Sequence, residues 1–245
     1  MEKTRIPRVS RALVMGAVLL SLSSLAFAGS VSDTFFRIEV DNGVESASFE
    51  VDSTSPFVNY DPGTSTWSWN SAGQFIDLGN VASLDQANLM IVGDPQISMG
   101  FALTAGALDT TVTITSAVLS YAAIGNASGV ASTAMTVTDN NADGATLTGA
   151  GPNGGAYVAT YNTPPGTIFS ELIGAISSGA GGSASENANT GGFVPIAGTV
   201  SSMVAQYTFV ISAGDQASGT SNFVIVPEPA SLMLLAVGLV FCRRR

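Results

Sequence analysis

Phe36-Arg37-Ile38-Glu39-Val40-Asp41-Asn42-Gly43 is the stretch on which the architecture turns. Apolar and charged side chains alternate strictly through it, the period of a strand with one face buried and the other in water. Asp41-Asn42-Gly43 then offers a tight turn, since glycine takes the positive φ of a hairpin loop without steric cost. Phe49 and Val51 carry a partner strand back. The unit is a β-hairpin.

The pattern recurs along the chain. Ile97, Met99, Phe101 and Leu103 form one face, with Gln96, Ser98, Gly100 and Ala102 on the other. Val112 and Ile114 sit among threonines in 110–115, a composition that favours strands. Tyr157, Ala159 and Tyr161 alternate, as do Met203, Ala205, Tyr207, Phe209 and Ile211, and a last strand spans 222–226. Short strands separated by Gly, Asn, Asp and Ser predict one all-β domain over 29–226, a β-sandwich or jelly roll. At most one or two short helices are expected. The better one is 167–176, where Ile168, Leu172 and Ile176 share a helical face after Pro164-Pro165-Gly166; the weaker is 84–90. Two segments read as loops, 149–155 and the Gly-, Ser- and Asn-rich 177–192. No repeat of 20–50 residues is evident.

Composition narrows the chemistry. Seventeen of the eighteen carboxylates, all but Glu2, fall within 29–229 and face a single cation there, Arg37, so that span carries a formal charge of −16. It contains no Lys, His or Cys. Catalysis through an imidazole or a lysine is therefore excluded, and zinc sites of the usual His/Cys kind are not expected. Nucleic acid is excluded as a partner, because so acidic a surface has nothing to exchange for phosphate counter-ions. No disulfide can form within the span, and its roughly 200 residues must stabilise it through a buried core. Arg37 is expected to pair with a carboxylate on the adjacent strand.

Both ends read as addresses. Lys3, Arg5, Arg8 and Arg11 precede an apolar core at 12–25, and Ala26-Phe27-Ala28 is a small-x-small cleavage site. That is the layout of a secretory signal peptide, 1–28, removed after Ala28 by the export machinery. At the other end, Pro227-Glu228-Pro229 is followed by an apolar run, 230–242, and by Arg243, Arg244 and Arg245. The prolines keep the first part extended, and the arginines hold the end of the run on the cytoplasmic side. As a helix the run would reach only about 20 Å, against a hydrocarbon core of about 30 Å. That favours a transient membrane signal over a permanent anchor.

In its order of motif, apolar helix and basic end, the segment 227–245 resembles the PEP-CTERM sorting signal. The resemblance covers about 226–245. It implies processing by an exosortase-type enzyme after transient inner-membrane insertion. It also implies delivery to the cell envelope, its outer surface or the extracellular matrix, in association with exopolysaccharide or biofilm. An ordinary C-terminal anchor is the competing reading.

Three constellations stand out in the mature span. Asp139-Asn140-Asn141-Ala142-Asp143-Gly144 places Asp139, Asn141 and Asp143 at the oxygen-ligand spacing of a calcium loop, with Gly144 at its sharp turn. The closing glutamate is absent, its position being Ala150, and a turn rich in Asp, Asn and Gly is the alternative. Trp67 and Trp69 point the same way on a strand and, with Tyr60, could form a platform for a sugar ring; burial in the core is the competing role. The carboxylates could in principle run glycoside hydrolysis, but none is set apart from the rest. The expected protein is thus an exported, non-enzymatic envelope or matrix protein. A carbohydrate-binding module is the alternative, followed by a carboxylate-based glycosidase.

Overall fold

The computed structural model describes residues 29–228, and every regular element in them is a strand. In chain order these are β1 (Ser30–Val31), β2 (Thr34–Asp41), β3 (Ser46–Asp52), β4 (Asn59–Asp61), β5 (Thr66–Asn70) and β6 (Ile76–Leu78). There follow β7 (Ala82–Val92), β8 (Gln96–Ala105), β9 (Thr110–Ser116), β10 (Leu119–Thr138), β11 (Ala145–Gly149) and β12 (Tyr157–Tyr161). The last are β13 (Thr167–Leu172), β14 (Ala175–Ser178), β15 (Ser183–Asn189), β16 (Val194–Ile211) and β17 (Gln216–Pro227). The signal-peptide residues, Ala26 and Ala28 included, and the sorting helix expected at 230–242 lie outside the described residues. Within those residues no helix is long and apolar enough to cross a membrane.

The opening hairpin forms as its sequence demands. Ile38 faces Phe49 and Phe36 faces Val51 across β2 and β3. In the turn, Gly43 has φ of 79°, and the Asn42 side-chain oxygen accepts the N–H groups of Val44 and Glu45.

All pairings are antiparallel, and they join the seventeen strands into one sheet that curls over itself. One layer runs β3–β2–β9–β16, with β12 and β11 on the far side of β16 and β13 and β14 beyond them. The facing layer runs β15–β10–β17–β8–β7, with β5 and β6 side by side on β7 and β4 beyond β5. Two long strands connect the layers. The first part of β10 pairs with the first part of β16, after which each continues into its own layer. A straight strand of twenty residues would reach about 65 Å, so β10 must bend. It does so where its register with β16 breaks, between Ser120 and Ile124 and between Gly125 and Ala127, with Asn126 at φ 52°. An extra residue on one strand bends it and strengthens its twist.

The core lies between the layers. Phe101 from β8 meets the Tyr207 ring edge-on at 4.8 Å and stacks on Phe209 at 5.6 Å, both from β16. Gly219 of β17 lies beneath Phe101; a Cβ there would come within 2.7 Å of the ring. The Tyr207 hydroxyl is 3.0 Å from Thr133 Oγ1 on β10, which itself donates to the Thr220 carbonyl. A polar contact therefore ties the layers through the centre of the apolar core.

Three local expectations differ from the structure. The helix expected at 167–176 is instead the pair β13 and β14, with β13 lying along β12. The apolar spacing was compatible with a helix, but β12 has an edge to fill, and Ile173 at φ 60° turns the chain immediately after β13. Ile168 remains 39% exposed, while Phe169 stacks on Phe223 at 5.3 Å. Likewise 84–90 lies within β7, central in its layer. The supposed loop 177–192 contains β15, which lies along β10 from Ser132↔Asn189 to Thr138↔Ser183. The unpaired backbone of β10 recruits it whatever its side chains, and the hydroxyl pairs Thr136–Ser185 and Thr138–Ser183 reinforce the match. The expected loop at 149–155 is present apart from Gly149, which ends β11, and it has an organising centre, since the Glu171 carboxylate of β13 accepts the N–H groups of Asn153 and Gly155.

Two measurements probe this core. Phe101→Ala should lower the unfolding free energy by about 3–5 kcal/mol in a urea titration, the range for a large buried ring removed from a packed site. The second is an alkaline titration. Burial pushes the Tyr207 hydroxyl up to about 12; burial raises Tyr121 and Tyr157 further. Because these folded values exceed that of an unfolded tyrosine, their contribution to stability is present below pH 10 and is lost as pH rises. Tyrosinate absorbance from these three residues should appear together with the loss of β circular dichroism.

Candidate functional site

The aromatic residues lie where the β4–β5 hairpin leaves the facing layer. Tyr60 and Trp67 sit directly opposite in the hairpin register, and their rings stack with centroids 4.7 Å apart. Tyr60 is 47% exposed and Trp67 half-buried. Trp69, two residues along the same face, is only 6% exposed. It packs on Phe36 at 4.8 Å and Phe49 at 6.2 Å, bridging the edges of the two layers. The three rings thus do different work. Tyr60 and Trp67 offer a small partly exposed stack, and Trp69 belongs mainly to the core.

Beside Trp69 the structure opens a cleft of about 400 Å³ between β3 and the chain from β5 to β6. Its apolar wall is Phe49, Phe57 and Trp69; Phe57, in the turn after β3, is 77% exposed. Glu50, Asp52, Asn70 and Gln74 also line it, the first two with side chains on the face of β3 opposite to Phe49 and Val51. Glu50 faces Arg37 across the hairpin. The guanidinium nonetheless donates to Glu39 of its own strand, at 2.7 Å, rather than to the adjacent strand as expected. Residues two apart on a strand share a face, so Glu39 also lies on the Arg37 face and within reach of the guanidinium. Arg37 being the only cation of the span, neither Glu50 nor Asp52 is paired with a positive charge among the described residues. Nothing in the local sequence singled out this cleft, because β3 and the β5–β6 turn meet only in the folded chain.

The acidic loop is closed chiefly by backbone donors. Asp139 accepts four N–H groups, from Asn141 at 3.1 Å, Ala142 at 2.9 Å, Gly144 at 2.9 Å and Gly181 at 2.6 Å. Burial acts to raise its carboxyl, but these four donors together outweigh it and bring it down to about 2. The Asn141 side chain turns inward on the loop. It donates to Asp143 and to the Ala213 carbonyl, and its oxygen accepts the Asp143 N–H. The third carboxylate of the cluster is Asp215, seventy-five residues from the Asn140 N–H that it accepts. One oxygen each from Asp139, Asp143 and Asp215 lies within 4.8 Å of the others. Those three could hold a divalent cation, with Asn141 bracing Asp143. Spacing could not have revealed Asp215.

Part of the C-terminal motif is also described. Pro227 ends β17 opposite Ala127, and the Glu228 N–H donates to the Asn126 carbonyl. Both side chains are exposed, at the bend of β10. Pro229, Arg243, Arg244 and Arg245 lie outside the described residues.

Residues 226–245 match the PEP-CTERM protein-sorting motif. No curated protein matches the chain. Among solved structures, the enzymatically active domain of tailspike protein 4 from bacteriophage CBA120 aligns over 78% of this chain at 9% identity, with a TM-score of 0.30. The chain spans 19% of that structure's length, and a likeness this slight says nothing of fold or activity.

The Asp139 hub has a testable signature. In Asp139→Asn an amide nitrogen would confront backbone N–H donors, so the variant should melt several degrees below the wild type at neutral pH. The Asp139 carboxyl is lower in the folded state than its ordinary 3.8. Its contribution is therefore present above that value and lost as pH falls toward about 2. Scanning calorimetry across that window should show the two melting temperatures converging with acid.

Proposed function

From the PEP-CTERM sorting motif at 226–245, which marks an exported chain targeted to an exosortase, we propose a non-enzymatic protein of the cell envelope or extracellular matrix that works through its surface in association with exopolysaccharide. The observation that carries the reading is the union of this motif with a β-sandwich almost without cations. The motif accounts for export, transient membrane anchoring and processing. Without His, Lys or Cys in the mature span, the common nucleophile–base pairs cannot be assembled. Its acidic surface suits a protein that must stay soluble at high local concentration.

The geometry also suits processing. β17 delivers Pro227 and Glu228 to the surface, and the next residue, Pro229, cannot donate to a ladder. An enzyme can grip the chain there without unfolding the core.

Intact-mass analysis of the protein recovered from envelope and secreted fractions tests the reading. The mature form should lack the terminal arginines, and replacing Pro227, Glu228 and Pro229 by alanine should hold the chain in the inner-membrane fraction. A mature protein that keeps Arg245 would leave an ordinary anchor as the explanation. Host exopolysaccharide incubated with the purified protein should release no reducing ends; turnover abolished by one specific Asp→Asn or Glu→Gln change would make it a glycosidase instead.

A further inference from the structure

We propose that the outer face of the layer β15–β10–β17–β8–β7–β5 binds a neutral polysaccharide lying across its strands. This rests on the reading of the protein as a polysaccharide-associated one and adds the chemical class of the polymer and the surface that meets it.

Every second residue of a strand turns outward, and residues paired across the sheet share that face. From Asn189 of β15, one outward row crosses Ser132 of β10, Asn222 of β17 and Ser98 of β8. It continues through Met90 of β7 and Ser68 of β5 to Asn59 of β4. With strands about 4.8 Å apart, the row is roughly 29 Å long. Asn187, Thr220, Asn88 and Asn70 belong to the row beside it. Two shallow depressions lie on these rows. One, of about 330 Å³, is bounded by Asn187, Asn189, Thr220 and Asn222. The other, of about 540 Å³, is bounded by Asn59, Ser68, Asn88 and Met90, with exposed Phe57 beside them. Between the two, the Asn222 side-chain oxygen accepts Ser98 Oγ at 2.9 Å and Gln96 Nε2 at 3.0 Å. That fixes the amide and leaves its N–H groups for a ligand.

Charge is segregated between the two outer faces. The central strands of this layer, 130–138, 216–226 and 96–105, contain no Asp, Glu, Lys or Arg. Glu186 of β15 pairs with the inward Met135 and so belongs to the other side of its strand. Asp85 and Asp61 stand at the margins, each held by neighbouring donors: Thr104 and Gln216 for Asp85, Thr64 and Gly63 for Asp61. On the opposite layer, by contrast, Arg37, Glu39, Asp41, Glu50 and Asp52 share the outer face.

The uncharged face suits an uncharged polymer rich in hydroxyls. A side-chain amide offers donors and an acceptor together, the complement of neighbouring sugar hydroxyls. Each such bond replaces one to water and contributes little, so a chain crossing the whole row gains where a single sugar does not. A β-1,4-linked hexose advances by about one strand spacing per unit, which brings each unit over a new strand. The C–H face of a pyranose can also lie against the Phe57 ring at the end of the row. A uronic or sulfated polymer would bring negative charge to an acidic protein with no cation on this face. A second copy of the chain would set two strongly acidic molecules together, which their repulsion opposes.

The test titrates the purified mature protein, by calorimetry and by amide chemical shifts, with three oligomers: the β-1,4-linked glucose disaccharide, its hexasaccharide, and a galacturonate hexasaccharide. The glucose hexasaccharide should bind at least tenfold tighter than the disaccharide, and the galacturonate oligomer should not bind. Shifts should fall on the side-chain amides of Asn59, Asn88, Asn187 and Asn222. Asn187→Ala combined with Thr220→Ala, at exposed positions the fold should tolerate, should weaken the hexasaccharide several-fold. Ser46→Ala combined with Ser48→Ala, exposed on β3 in the opposite layer, should leave its affinity unchanged. No binding of the hexasaccharide, equal affinity for the two glucose oligomers, galacturonate bound as tightly as glucose, or an equal loss in both double variants would each overturn the assignment. So would a concentration-dependent dimer that replaces sugar binding and is lost in the Asn187→Ala, Thr220→Ala variant, since the face would then join copies of the chain. A protein that fails here yet is processed and co-purifies with exopolysaccharide has lost only this face. One that keeps Arg245 has lost the sorting reading, whatever it binds.

Discussion

The antiparallel contact between the first halves of β10 and β16 is the constraint on which the rest depends. Each strand is too long for one layer, and each must keep its backbone paired while it leaves its partner. The bends at Ser120–Ile124 and Gly125–Ala127 let one hydrogen-bonded ladder split into two facing layers. Once they face, Phe101 can reach Tyr207 and Phe209, and Thr133 can reach the Tyr207 hydroxyl. The core follows from the continuity of the sheet. The same bend holds the Glu228 N–H through the Asn126 carbonyl, so it also places the start of the sorting motif at the surface.

A chain this acidic has to manage charge without cations, and it uses its own backbone to do so. Asp139 gathers four N–H groups, Glu171 organises the turn after β11, and Asp77 accepts the Gly79 N–H. At Asp61, the Thr64 hydroxyl and then the Gly63 N–H hold the carboxyl below the ordinary range. Turns leave N–H groups without sheet partners, and carboxylates placed there satisfy both needs together.

The aromatic residues show how one composition serves two purposes. Trp69 seals the edge between the layers against Phe36 and Phe49, while Trp67 and Tyr60 stack at the rim. All three are placed by a five-residue strand and its three-residue partner, so the same short hairpin closes the core and shapes the wall of the cleft.

Much of this was legible from residues alone. Period-2 alternation identified β2, β8, β9 and the second half of β16, because one face of each meets the core and the other meets water. The sorting motif was legible too, since an enzyme must read it as a linear segment. Strand β15 was not legible, because Ser, Ala and Asn carry no periodicity and its pairing comes from the open edge of β10. For β13, spacing compatible with a helix gave way to the edge of β12. Asp215 beside Asp139, and β3 beside the β5–β6 turn, are meetings between distant parts of the chain that no local pattern encodes. Sequence determined which faces had to be buried and where the chain is sent, because side-chain polarity and linear motifs are local properties. Only the tertiary structure decided which edges pair and which charges go without a partner, because both depend on what the rest of the chain brings within hydrogen-bonding distance.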